Sequence, residues 1–272
     1  MRVKRKKGVA VPYLAWMIIF TALPLVLVIF FAFTNKDGGF TLDNLTGLGN
    51  YVSVFFLSLI LAAIATVLCL VIAYPISFML SRLRAGRQGI LLMLVMLPMW
   101  MNFLLRTYAW MSLLEYNGLI NRFLGIFGIG PFEMINTAGA VVLGMVYNYL
   151  PYMILPLYTA MVKISPSVIE AAEDLGAGFW SKLFRVILPL SKPGIQTGIT
   201  MVFVPAISTF IISKMLSGGN IWLIGDLIES QFLGNAYNYN LGSAMSLVLM
   251  VVVLLIMSLT GGFDQEDIEG VI

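Results

Sequence analysis

Residues 163–192 read KISPSVIEAAEDLGAGFWSKLFRVILPLSK, a mixed polar and apolar stretch between two long apolar runs. Ser167 followed by Glu170 makes a capping box with Pro166 just ahead, which predicts a helix starting near Val168. Gly176 suits its end, because glycine accepts the left-handed backbone there. The expected helix is about two turns long. Val168, Ala172, Leu175 and, beyond the cap, Phe179 fall on one stripe, while Glu170, Glu173 and Asp174 lie on the others. Ala171, Ala172 and Gly176 are small and permit close approach by a partner surface. A second helix through Trp180–Val186 runs into the next apolar stretch at Pro189. One reading is an amphipathic helix lying on the membrane, which is usually basic on its polar face. The three acids favour docking against protein.

Working outward, the flanking runs are long enough to cross a bilayer, which needs about 20 apolar residues in a helix. Six stretches qualify: 13–34, 55–81, 90–113, 138–161, 188–216 and 241–260. The first follows a basic start (Arg2, Lys4, Arg5, Lys6, Lys7) but is too long for a signal-peptide core and lacks a small-residue exit, so it reads as a retained span. Prolines 24, 75, 98, 151, 156 and 205 punctuate the spans. Each removes a backbone hydrogen bond, which lipid tolerates only where neighbours satisfy the freed carbonyl.

Lys and Arg set the orientation. With the N-terminus inside, twelve lie in cytoplasmic segments: the five at the start, then Arg82, Arg84, Arg87, Lys163, Lys182, Arg185 and Lys192. The outer loops hold Lys36 and Arg122, while Arg106 and Lys214 fall inside spans. Both termini are therefore expected in the cytoplasm. The outer loops also carry Asp37, Asp43, Glu115, Glu133, Asp226 and Glu229. That acidity is either what the positive-inside rule leaves behind or a vestibule that concentrates a cationic substrate.

Composition excludes a soluble enzyme. Of 272 residues, 60% are hydrophobic and 11% charged, against about 25% charged in globular domains, and the mean hydropathy is +0.96. Histidine is absent, which removes the commonest general base and metal ligand. The single cysteine, Cys69, excludes an internal disulfide. Nothing points to nucleic acid.

The loop resembles the cytoplasmic signature EAA-x3-G-x9-I-x-LP of permease subunits of binding-protein-dependent ABC importers. The matching residues are Glu170, Ala171, Ala172, Gly176, Leu188 and Pro189, with Val186 in place of isoleucine. The resemblance implies an all-α, multi-pass type I ABC importer permease fold with six transmembrane helices. It also implies that Glu170 through Gly176, including Leu175, form a coupling helix seated in a cleft of the ATPase subunit. No G-x-x-x-x-G-K-[ST] occurs, so ATP and Mg are expected on that separate chain, with no cofactor here and no catalysis by this polypeptide.

More of the chain is similar to one branch of the family, the permeases of spermidine/putrescine importers. The stretches that carry this are Leu97–Asn102 with Leu105–Trp110, Gly118–Asn121, Gly218-Gly219 with Leu223–Gly225, and Gln231–Leu233. The implied partners are a second homologous permease, an ATPase dimer, an extracytoplasmic polyamine-binding protein and the bilayer of a bacterial inner membrane. On this reading residues 1–12 are a basic cytoplasmic arm, 13–260 the permease domain with its coupling loop at 163–192, and 261–272 an acidic cytoplasmic tail. The alternatives are a permease for iron, sulfate or another small solute, and an ion-coupled secondary transporter. The latter needs intramembrane ionisable groups, and here only Arg106 and Lys214 qualify.

Candidate pathway residues are Trp100, Asn102, Tyr108, Tyr147, Asp226 and Glu229. Trp100, Tyr108, Trp110, Tyr147 and Tyr149 suit either cation–π contact with ammonium groups or an interfacial aromatic belt. Trp100 and Tyr147 sit deeper in their spans than a belt requires. Asp226 and Glu229, three apart, share a helix face that either meets an arriving cation or is simply solvated. Arg106 would repel a polyamine, so its expected role is to snorkel to the outer headgroups or pair with an outer acid.

Overall fold

A computed structural model of the chain describes residues 11–234 and 237–260. The basic arm up to residue 10 and the acidic tail 261–272 lie outside the described residues. Among the described residues the regular structure is helical, with one isolated bridge between Thr34 and Phe40. The helices are α1 (Val11–Ala32), α2 (Val52–Ser81), α3 (Ala85–Trp100), α4 (Phe103–Leu114), α5 (Leu119–Ile126), α6 (Ala138–Val162), α7 (Pro166–Asp174), α8 (Phe179–Lys182), α9 (Lys192–Ile207), α10 (Ile211–Leu216), α11 (Ile224–Leu233) and α12 (Tyr239–Leu259).

Among the described residues, four helical stretches are long and apolar enough to cross a membrane: Val11–Ala32, Asp43–Ser81, Ala138–Val162 and Tyr239–Leu259. A fifth is obtained if Gly86–Trp100 and Phe103–Ile126, bent by 88°, count as one. The bend falls inside the predicted span 90–113. Pro98 weakens the end of α3, Met101 and Asn102 are extended, and the Asn102 side chain accepts the Leu104 N–H at 2.8 Å to start α4 afresh. The predicted span 188–216 is likewise three pieces, Leu188–Leu190, α9 and α10. Its breaks lie at Ser191 and at 208–210, shortly after Pro189 and Pro205.

Two prolines are accommodated by the same device. In α1 the stretch Ile18–Ala22 is π-helical and the Leu23 N–H reaches the Ile18 carbonyl. Before Pro189, Leu183–Ile187 is π-helical and the Leu188 N–H reaches Leu183. Proline supplies no N–H for the residue four back and crowds its carbonyl; one wide turn just ahead relieves both.

The described residues divide into two compact units, those within 11–53 and 227–252, and those within 54–226 and 253–260. In the first, α1 is exposed from Val11 to Leu27, as a lipid-facing helix must be, and becomes buried only at its end, where Ala32 is enclosed. Its orphan C-terminal carbonyls are satisfied by two distant amides. Asn240 Nδ2 donates to Phe31 O (3.1 Å) and Thr34 O (2.7 Å), and Asn44 Nδ2 to Ala32 O (3.1 Å) and Thr34 O (2.9 Å).

In the second unit α6 is the axis. A Cβ on Gly194 of α9 would lie 2.6 Å from Ala160 Cβ and 2.7 Å from Pro156 O, and one on Gly198 2.5 Å from Met153 Sδ. This Gly-x-x-x-Gly spacing lets two backbones close together where lipid offers no hydrophobic drive for association. From α2, a stripe of Ala62, Ala65, Cys69, Ala73 and Ser77 is fully buried. Ser77 Oγ donates to Ile154 O of α6 at 3.1 Å, and Cys69 Sγ approaches Val146 O at 3.7 Å.

Candidate functional site

The loop between α6 and α9 is built from its ends inward. At its start, Arg82 Nη1 donates to Ile164 O at 3.2 Å while its guanidinium lies 5.5 Å from the Phe78 ring. Partial burial lowers the Arg82 pKa from its ordinary value, since the charged form loses hydration. At its end, the Tyr74 hydroxyl and Ser191 Oγ are 3.1 Å apart, and Ser191 Oγ also donates to Leu188 O. Arg82 and Tyr74 both belong to α2 or the residue just after it, so one helix holds both ends of the loop. Gln88 braces the same region. Its Nε2 donates to Ser81 O and Leu83 O (3.2 and 2.7 Å), and its Oε1 accepts from the Tyr158 hydroxyl (3.0 Å).

Helix α7 begins at Pro166, two residues earlier than Val168. The capping box is corrected: the N-cap is Ser165 with no side-chain cap bond, and its hydroxyl instead lies 2.7 Å from Ser167 Oγ. Glu170 is left exposed. The helix ends as expected. Gly176 has φ +79°, its N–H reaches Glu173 O at 2.8 Å, and the Ala177 N–H reaches Ala172 O at 2.9 Å. These paired bonds satisfy two orphan carbonyls through a left-handed residue. The turn is fastened to α8 by an ion pair between Lys182 and Glu173.

No residue of α7 is buried. Glu170 and Ala171 are exposed and Ala172 half-buried; Leu175 is 89% exposed, with Val168, Phe179, Trp180 and Phe184 also open. Trp180 stacks on Phe184 at 5.8 Å and meets Phe179 edge-on at 5.4 Å. Leu188 is half-buried and Pro189 exposed. The loop thus presents a rigidly capped helix whose apolar stripe is offered outward.

The pathway candidates fall into separate places. Trp100 (78% exposed), Asn102 and Tyr108 are exposed around the α3–α4 bend. Tyr147 of α6 is half-buried and packs edge-on against Trp110 of α4 at 5.3 Å. Asn148 and Tyr149 are buried, the Tyr149 hydroxyl donating to Pro205 O at 3.3 Å where α9 is ending. Asp226 is not on a solvated face: it is 2% exposed, its carboxylate accepting from Ser213 Oγ at 2.9 Å and the Leu223 N–H at 2.8 Å. Glu229 is half-buried. Arg106 also departs from expectation. It neither snorkels outward nor pairs with an acid among the described residues; it is 8% exposed and folds over Phe103, 5.8 Å from the ring. The contacts of Tyr74 with Ser191, Arg82 with Ile164, Gln88 with Tyr158 and Ser213 with Asp226 carried no sequence signal, since each joins residues distant in the chain.

No protein-family model matches the chain. The spermidine/putrescine transport system permease protein PotB of Haemophilus influenzae is 40% identical over 252 residues, 89% of this chain and 88% of that protein. PotB of Escherichia coli K12 is 37% identical over 89% of this chain and 91% of its own length. The inner membrane ABC transporter permease protein YdcU of the same organism is 29% identical over 82% of this chain and 77% of its own length. Among solved structures, a bacterial ABC transporter involved in import of the acidic polysaccharide alginate superposes with a TM-score of 0.79 at 17% identity, covering 94% of this chain and 93% of that one. A second structure of an alginate ABC transporter, in complex with a pentasaccharide-bound periplasmic protein, gives the same score. The helical fold is thus that of ABC importer permeases, which are transport subunits and not enzymes. With that fold and with identity sustained over nearly the whole chain, the protein belongs to the PotB family of spermidine/putrescine transport system permeases.

Proposed function

We propose that this chain forms half of the transmembrane pathway of an ATP-driven polyamine importer and takes its drive through α7. The observation that carries the reading is the loop 163–192. Its helix is capped by Gly176 in a conformation only glycine adopts freely, is anchored at both ends by α2, and turns its apolar stripe away from its own protein. Such a helix is shaped to be gripped by another protein. Spermidine and putrescine are the substrate class, as the names of relatives at 36–40% identity support.

The chain crosses the bacterial inner membrane six times with both termini inside. The bent α3–α4 pair is one crossing, and the segmented stretch 188–216 another. Residues 1–12 and 261–272 are cytoplasmic. A second permease completes the pathway, an ATPase dimer holds ATP and Mg, and an extracytoplasmic binding protein delivers the polyamine to the outer face. ATP-driven closure moves α7, and hydrolysis resets it. Trp100, Asn102, Tyr108 and Tyr147 are the residues proposed to meet the ammonium groups, with Glu229 nearer the outer entrance.

The test is uptake of labelled spermidine and putrescine in cells with and without this chain, with a Gly176→Val variant alongside, in a strain lacking other polyamine importers. Loss in both strains, with the variant still inserted, is the expected result. Unchanged uptake would discard the polyamine reading.

A further inference from the structure

Arg106 is the least explained charge in the described chain. It is 8% exposed, and its Nε and Nη1 are buried with no hydrogen-bond acceptor among the described residues. Phe103 offers a ring face 5.8 Å away but no lone pair. An ionised guanidinium withdrawn from water needs an acceptor or another ion. Next to it the chain breaks: Met101 and Asn102 are extended between two helices bent by 88°. Irregular backbone at membrane depth is tolerated only where protein or water covers it, never against lipid tails. Around the break, Trp100, Met101, Leu104, Leu105 and Tyr108 are all exposed.

Resting on the permease reading above, we propose that the α3–α4 elbow is the docking surface for the companion membrane subunit, which supplies a carboxylate to Arg106. Hydrocarbon supplies no acceptor at this depth. A polyamine is itself a cation and would be repelled. The binding protein comes and goes, whereas a buried cation needs its counter-ion throughout the cycle. A permanent neighbour with an acid opposite Arg106 meets all three conditions. The exposed Met101, Leu104 and Leu105 then form the apolar surround that keeps water from the pair.

The experiment uses the full importer in native membranes with this chain tagged. Arg106→Met keeps the length of the stem and removes the charge; Arg106→Lys keeps the charge. Separately, Leu105→Cys in a Cys69→Ala background places one reactive thiol on the elbow. Truncating one member of a buried charge pair between proteins weakens association by about thirtyfold or more. The expected result is therefore a loss of that order in companion subunit recovered with Arg106→Met, at an unchanged membrane level of the tagged chain. Arg106→Lys should retain most of the recovery, and Leu105→Cys should cross-link to the companion subunit without substrate or binding protein. Wild-type recovery with Arg106→Met overturns the proposal. So does cross-linking only to the binding protein, and so does loss of the Arg106→Met chain itself, which would place the acceptor within this chain. Failure of the wild-type chain to carry any companion would instead count against the permease reading.

Discussion

Gly176 offers a test in which conformation and space are separable. It sits at φ +79°, and a Cβ built there meets nothing within 4 Å. Within this chain, then, a substitution costs only backbone strain, about 1–2 kcal/mol for an ordinary L-residue in the left-handed region. Opposing that are the two capping hydrogen bonds, from Gly176 N–H to Glu173 O and Ala177 N–H to Ala172 O, worth about 1 kcal/mol each. For Gly176→Ala the balance is near zero to about 1 kcal/mol, leaving half or more of the chains capped, so uptake should fall no more than about twofold. Gly176→Asn should do better, because asparagine visits this region readily. Gly176→Val should do worst, since a β-branched residue there is a true outlier, and uptake should be nearly abolished. The assay is initial-rate polyamine uptake normalised to chain in the membrane, with ATPase stimulation by the loaded binding protein as a second readout. If Asn and Val fail equally while inserting normally, bulk against the ATPase surface is what matters and the conformational reasoning is wrong.

Further expectations follow from the packing. Gly194→Val should lower the amount of folded chain and raise protease sensitivity, because its side chain meets Ala160 and the Pro156 carbonyl, an overpacking cost of about 1–3 kcal/mol; Gly198→Ala, which meets the flexible Met153 sulfur, should be milder. Tyr74→Phe and Arg82→Met each free one end of the coupling loop, so uptake per folded chain should fall more than membrane abundance does. Ser213→Ala removes a hydrogen bond to the buried Asp226 carboxylate and should cost about 1–3 kcal/mol, read as a lowered detergent-denaturation midpoint. Glu173→Gln breaks only a half-exposed ion pair, worth about 1 kcal/mol at most, and should leave uptake within about twofold of wild type.

What the sequence carried was local chemistry. Gly176 as a helix end is legible because the left-handed requirement falls on the residue itself, and the apolar runs are legible because lipid demands them everywhere. The N-terminus of α7 was misread for the same reason: Ser167 and Glu170 have capping-box spacing, but Ser165 competes for the same hydroxyl two residues away. The break after Trp100 is written as Pro98 followed by Asn102, yet an uninterrupted apolar count hides it. Asn240 donating to Thr34, or Ser58 Oγ accepting from the Ile224 N–H at 2.8 Å, joins residues far apart in the chain and has no local signature at all. Asp226 shows the same limit. Its spacing from Glu229 suggested an outward face that either meets a cation or is simply solvated, and only the approach of Ser213 and the Leu223 N–H reveals a carboxylate fixed in the interior.

The tethering of the coupling loop to α2 has a consequence for anyone who moves it. Ile164 is held by Arg82 and Ser191 by Tyr74, so the loop's two footings stand on one helix more than eighty residues upstream. A chimera that imports only residues 163–192 from a relative would set a foreign loop on native footings. Grafting it together with the α2 segment that carries Tyr74 and Arg82 would transplant the lever with its mounting. The heritable unit of coupling is a pair of segments, not the motif alone.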